Sequence, residues 1–208
     1  MAIKKKSHRL LQKEATRKIL LQSAYSLFVE KGYEKTTMRA LAENAGVGLG
    51  TIFKHFSDKP SILAAAFEED LNAVLQNAFR TLPSLGITSQ LIHISNHLYS
   101  FYAKNPIFSR ALIKEVLFLE GDHGKVLHQQ LQIFLETITN LIGNAVQNGE
   151  LSPDTQTSDG ATAYWSFYFT GLLLGLMEPS FNVSTQLALV ERLIDKHFFE
   201  KGDSFRGC

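Results

Sequence analysis

Apolar residues recur at helical spacing along most of the chain, and no convincing stretch alternates with the period of a strand. Leu20, Ala24, Leu27 and Phe28, flanked by Ile19 and Tyr25, predict a first helix over about 13–31, with Gly32 where a left-handed cap is expected. Thr36 is placed to cap a second, short helix whose buried side is Met38, Leu41, Ala42 and Ala45 and which stops at Gly46. Val47 re-enters the core. A third helix follows over Gly48–His55, with Ile52 and Phe56 as its apolar contacts. Two consecutive helices with only one or two residues between them make the corner of a helix-turn-helix.

Asp58 is positioned to cap a fourth, longer helix over about 58–82, in whose first turn Pro60 is tolerated because its missing N–H would have no partner there. Pro83 to Gly86 breaks that helix, and Asn105-Pro106, Glu120 to Gly124 and Asn148-Gly149 break later ones. The remaining helices are expected over about 88–104, 107–119, 125–148, 159–178 and 184–201. The fold class is therefore all-α with about nine helices. A flexible basic arm (1–12) precedes a helix-turn-helix domain (13–60), which a fourth helix starting near 58 joins to a helical body (61–208).

Charge sharpens this division. The whole chain carries a net +1, but residues 1–60 hold 12 Lys+Arg against 5 Asp+Glu, and residues 61–208 hold 9 against 15. A basic first third on an acidic remainder suits a phosphate-binding module attached to a body that does not touch nucleic acid. The single cysteine, Cys208, allows no intrachain disulfide, and the basic start from Met1 to Arg9 leads into no apolar signal stretch, so a cytoplasmic location is expected.

Residues Arg17 to Leu63 resemble the N-terminal domain of the TetR family of transcriptional regulators. The resemblance rests on Ala24, Phe28, Gly32-Tyr33, Thr36-Thr37, Leu41-Ala42, Ala45-Gly46-Val47, Gly50-Thr51-Ile52-Phe53, His55-Phe56 and Lys59. It implies double-stranded DNA as a partner, with the third helix as the recognition helix in the major groove and Leu49, Gly50, Thr51 and Lys54 nearest the bases. Thr37, Arg39, Phe53, His55 and Lys59 would then belong to the same DNA-contacting surface, several of them at phosphates, while Lys4, Lys5, Lys6 and Arg9 would add contacts from the arm. Gly50 in a helix costs about 1 kcal/mol relative to alanine, and close approach to a groove is a reason to keep it. Two positions depart from the family pattern: Gly48 stands in place of a capping serine and Phe53 in place of a tyrosine, which removes two hydroxyls. Glycine is only a few tenths of a kcal/mol worse than serine as an N-cap, so the helix itself survives.

Beyond residue 70 the resemblance is architectural. It implies a homodimer and a cavity for a small effector, expected to be mostly apolar, with His97, Phe101, Tyr102, Phe108, Leu112, Phe134, Trp165, Tyr168 and Phe169 as candidate lining. Ala161 to Met177 is nearly uncharged, but it is short for a membrane span, carries Thr162, Ser166 and Thr170, and lacks a basic flank. A helix apolar on all sides is buried on all sides, so this helix and the last one are expected to form a four-helix dimer interface. Its candidate residues are Phe167, Gly171, Leu174, Gly175, Leu187, Val190, Leu193 and Ile194.

No catalytic constellation emerges, and neither a cofactor nor a metal is expected. His93 and His97 share a helix face at a metal-like spacing, yet no third ligand or general base accompanies them. The function expected is sequence-specific regulation of transcription, with repression preferred because occupancy alone blocks polymerase, and an effector that releases a palindromic operator. The alternative is a small-molecule-binding helical protein whose DNA-binding domain is vestigial.

Overall fold

The computed structural model describes residues 8–199, and among them every regular element is helical. The helices are α1 (His8–Lys31), α2 (Met38–Asn44), α3 (Leu49–Phe53), α4 (Lys59–Arg80), α5 (Ile87–Ala103), α6 (Pro106–Val116), α7 (Gly121–Gln147), α8 (Thr157–Met177) and α9 (Val183–Phe198). The expected number and order hold, and the boundaries shift for local reasons. α1 is already helical at His8, the first described residue, rather than from near 13, since no proline or glycine interrupts 8–31. Residues 8–12, expected in the arm, are thus helical, while Lys4, Lys5 and Lys6 lie outside the described residues.

The chain divides into two compact units. The first runs up to Asp70 and also takes in Ile107–Lys125; the second comprises Leu71–Pro106 and the chain from Val126 onward. α4 contributes its first half to one and its second half to the other. That α6 joins the N-terminal unit has no signature in a linear reading, because it follows from long-range packing.

In the first unit Leu20, Ala24, Leu27, Phe28, Leu41, Ile52 and Phe56 are buried together with Ile62 and Leu63 of α4. Phe108 of α6 packs against Phe28, with centroids 5.9 Å apart, and against Phe67 at 4.8 Å. The Tyr33 hydroxyl donates to Glu115 at 3.2 Å, so burial and the adjacent carboxylate both push its ionisation well up.

In the second unit, α5 and α9 pack on α8. Tyr164 donates to the Leu91 carbonyl at 3.0 Å and lies 2.9 Å from Ser95, while Tyr99 donates to the Tyr168 carbonyl at 2.7 Å. These bonds satisfy hydroxyls that would otherwise cost free energy in an apolar interior. Glu150, in the turn before α8, accepts from the Ile87 amide and so closes the first turn of α5. No helix among the described residues is long and apolar enough to cross a membrane.

α8 is not buried all round. Tyr164, Tyr168, Gly171, Leu172, Gly175 and Leu176 are inside, whereas Thr162, Ser166, Thr170, Leu173, Leu174 and Met177 form an exposed stripe. Thr162 and Ser166 donate back to carbonyls four residues earlier, which satisfies them without a partner helix.

Candidate nucleic-acid interface and ligand cavity

The corner between α2 and α3 is built by backbone geometry. Gly46 takes φ +65°, and the Val47 amide donates to the Ala42 carbonyl at 2.9 Å, which closes the end of α2 and turns the chain into α3. Thr37 caps α2, its hydroxyl accepting from the Ala40 amide at 3.2 Å. Thr36, expected in that role, is buried one residue earlier and donates to the Gly32 carbonyl at 2.9 Å, so it serves the end of α1 instead. Gly48 is the N-cap of α3, as expected, and has no side chain to close it.

α3 is only Leu49–Phe53, shorter than the expected Gly48–His55. Ile52 is its buried anchor. Leu49, Gly50 and Phe53 face outward, Phe53 at 51% exposure, with Lys54 exposed beside them, Thr51 half-buried, and Arg39 exposed on α2. A Cβ built on Gly50 meets nothing within 4 Å, so no packing within the chain requires glycine there.

Lys59 has a local task that its charge alone did not reveal. Its ammonium donates to the Tyr33 carbonyl at 2.9 Å and sits 4.1 Å from the centre of the Tyr33 ring, tying the start of α4 to the turn after α1. Asp58 accepts from the Ser61 amide at 2.8 Å, as expected of a cap. Burial disfavours its charge, but the bonds from Ser61 and Ser57 outweigh that and hold the carboxyl below its ordinary range.

His55 is half-buried, and its pKa is lowered by burial and then by Lys13 and Arg17 of α1. Those two cations were not singled out from sequence. Arg17 also lies 5.6 Å over the Phe56 ring, and Phe56 stacks on His123. The second turn of α1 therefore adds positive charge next to the helix-turn-helix.

In the second unit a cavity of about 130 Å³ is lined by Leu71 and Leu75 of α4, Leu98 and Tyr102 of α5, Leu127, Gln130, Leu131 and Phe134 of α7, and Trp165 and Tyr168 of α8. Four expected lining residues are there: Tyr102, Phe134, Trp165 and Tyr168. His97 and Phe101 instead line an open cleft of about 460 Å³ with Asn77, Asn96, Ser100 and Lys104. Phe169 stacks on Trp165 at 5.5 Å but is not part of the lining. Phe108 and Leu112 belong to the first unit, where Phe108 fills the aromatic core against Phe28 and Phe67. The leucines of α4, α5 and α7 were missed because an apolar stripe reads the same whether it faces a packed core or a hole.

His93 and His97 stack at 4.4 Å, but His93 bonds Thr81 at 3.0 Å and His97 bonds the His93 carbonyl at 3.0 Å. These are hydrogen bonds within α5 and from α5 to the residue that follows α4. Among the described residues no cluster of three or more metal-ligating side chains occurs.

Four of the expected dimer residues also do different work. Val190 and Ile194 are fully buried within a single chain. A Cβ on Gly171 would fall 2.3 Å from the Tyr99 hydroxyl, and one on Gly175 2.7 Å from the Phe181 ring. Those glycines make room for the chain's own aromatics. Leu174 is exposed, and Phe167, Leu187 and Leu193 are half-buried.

Residues 20–66 match the model of the bacterial regulatory proteins of the tetR family. The chain is 29% identical over 183 residues to the HTH-type transcriptional regulator SrpR of Pseudomonas putida, covering 85% of this chain and 80% of SrpR. It is 27% identical over 157 residues to the HTH-type transcriptional regulator UidR of Escherichia coli K12, covering 71% of this chain and 76% of UidR. Among solved structures, FadR of Thermus thermophilus, a TetR-family repressor in complex with lauroyl-CoA, superimposes with a TM-score of 0.72 at 19% identity, covering 92% of this chain and all of that one. Residues 20–66 thus carry the helix-turn-helix of the tetR family of transcriptional regulators, and the chain as a whole has the all-helical fold of TetR-family repressors of known structure.

Proposed function

We propose that this protein is a repressor that binds a palindromic operator as a homodimer in the cytoplasm and is released by a small, mostly apolar effector. The observation that carries the reading is the outward face of the helix-turn-helix. Leu49, Gly50, Phe53 and Lys54 are exposed around a single buried anchor, Ile52, with Arg39 exposed on the neighbouring helix. On this reading α3 lies in the major groove with Leu49, Gly50, Thr51 and Lys54 toward the bases, and Thr37, Arg39, Gly48, Phe53 and His55 border the phosphates. Lys13 and Arg17 add to the phosphate-facing charge. Lys59 acts through the position it gives the start of α4.

The dimer face on this reading is the exposed stripe of α8, centred on Leu174 and Met177, with Phe167, Leu187 and Leu193 at its edges. A cavity in the body supports effector control. The Thermus neighbour, which has the same fold, holds lauroyl-CoA. α4 supplies Leu71 and Leu75 to the cavity and Lys59 to the helix-turn-helix unit, so a ligand that shifts α4 changes both.

Selection of bound sequences from a random duplex pool, followed by affinity measurements against salt, tests the proposal. The expected result is a palindrome with half-sites about one helical turn apart, a steep fall of affinity with salt, and a loss of about tenfold or more in Lys54→Ala. Failure to enrich any palindrome would favour the vestigial-domain alternative.

A further inference from the structure

The cavity in the second unit is small and carries no charge. Its lining is leucine and aromatic except for the Tyr102 and Tyr168 hydroxyls, which are hydrogen-bonded to each other, and the Gln130 carboxamide. Gln130 donates to Asn72 at 3.2 Å, which leaves its oxygen as an acceptor. Its volume of about 130 Å³ is close to that of an apolar cavity of about 150 Å³ that takes one benzene ring. No lysine, arginine or histidine lines it, so an entering carboxylate or phosphate would lose its water without gaining a counter-charge.

Resting on the effector-controlled reading above, we infer that the cavity selects an uncharged molecule of about one ring with a single hydrogen-bonding group, such as a phenol or cyclic alcohol, and rejects carboxylates and long acyl thioesters. The ring packs among Leu75, Leu98, Phe134 and Trp165. Its hydroxyl is held at the Tyr102–Tyr168 pair or donates to Gln130. Burial raises the pKa of Tyr102 to about 12 and holds that of Tyr168 well above its ordinary value, so the pair stays neutral and gives an anionic ligand no counter-charge. A chain as long as the lauroyl group held by the Thermus neighbour exceeds the space available.

Trp165 is the only tryptophan of the chain and lines the cavity, so its fluorescence reports occupancy directly. The full-length protein is titrated with p-cresol, cyclohexanol, benzoate and lauroyl-CoA, and operator affinity is measured with each. Saturable responses to p-cresol and cyclohexanol are expected, with benzoate about a hundredfold weaker and no response to lauroyl-CoA. Leu75→Phe, and independently Leu131→Phe, fill the space and should abolish the response while leaving the helical circular-dichroism signal unchanged. Tighter binding of lauroyl-CoA or benzoate than of the neutral rings overturns the inference, as does a response that both filling variants retain. If the rings bind but never alter operator affinity, the ligand class stands and control by the cavity falls. If lauroyl-CoA alone releases the operator, the ligand class falls and effector control stands.

Discussion

On the proposed reading, His55 would link proton uptake to operator binding. Its pKa lies below the ordinary value of about 6.5 because burial, Lys13 and Arg17 all disfavour its cation. The unfolded chain therefore takes up this proton more readily, so the contribution to stability is present above about pH 6.5 and is lost as pH falls through the lowered value. DNA binding should run the other way, because a phosphate beside His55 favours the cation. Operator affinity is expected to rise between about pH 7.5 and 6, by no more than about tenfold per unit for one proton, and His55→Gln should flatten that rise. An unchanged slope in the variant would remove His55 from the interface. Gly50 provides the complementary case. Since a Cβ there meets nothing, Gly50→Ala should keep or slightly raise the melting temperature, by at most about 1 kcal/mol of stability, while weakening operator binding about tenfold or more. Wild-type affinity in Gly50→Ala would show that close backbone approach is not needed.

At the scale of the element, α8 is the helix whose reading changed most. Its sequence is apolar enough to suggest burial on every side, but the helix divides into an inner face packed on α5 and α9 and an outer stripe of Thr162, Ser166, Thr170, Leu174 and Met177. Gly171 and Gly175 lie on the inner face because Tyr99 and Phe181 occupy the space where side chains would be. Gly171→Ala is accordingly expected to cost about 1–3 kcal/mol in urea unfolding while leaving the association state unchanged in sedimentation. Dissociation without loss of protomer stability would return Gly171 to the interface. α3 illustrates the opposite case. Five residues with one buried anchor have little helical stability of their own, so the turn at Gly46 and the burial of Ile52 hold its exposed side chains in place.

At the scale of the whole molecule, the proposed dimer rests on the outer stripe of α8. Met177 is 80% exposed and Leu174 45%, a face that a dimer would cover. Leu174→Arg should leave the protomer folded, since the side chain already meets solvent, yet shift it to monomer in sedimentation and lower operator affinity about a hundredfold, because two half-sites are then no longer bound together. A Leu174→Arg protein that remains dimeric would place the interface elsewhere.

The sequence by itself determined the all-helical class, the order of the helices and the corner at Gly46-Val47, because those follow from local rules: periodicity, caps and one residue with positive φ. It also marked Ile52 as the anchor of α3 and Asp58 as the cap of α4. Only the tertiary structure decided which apolar stripes face a packed core and which face a cavity, so Leu71, Leu75, Leu127 and Leu131 went unmarked while Phe108 and Leu112 were misplaced. The same limit applied to Lys59, which the resemblance set near a phosphate and whose ammonium also donates to the carbonyl of Tyr33, 26 residues away, and lies over its ring. Spacing along a helix gives the direction of a side chain relative to its own axis. What stands opposite it is set by contacts distant in sequence, and those exist only once the chain has packed.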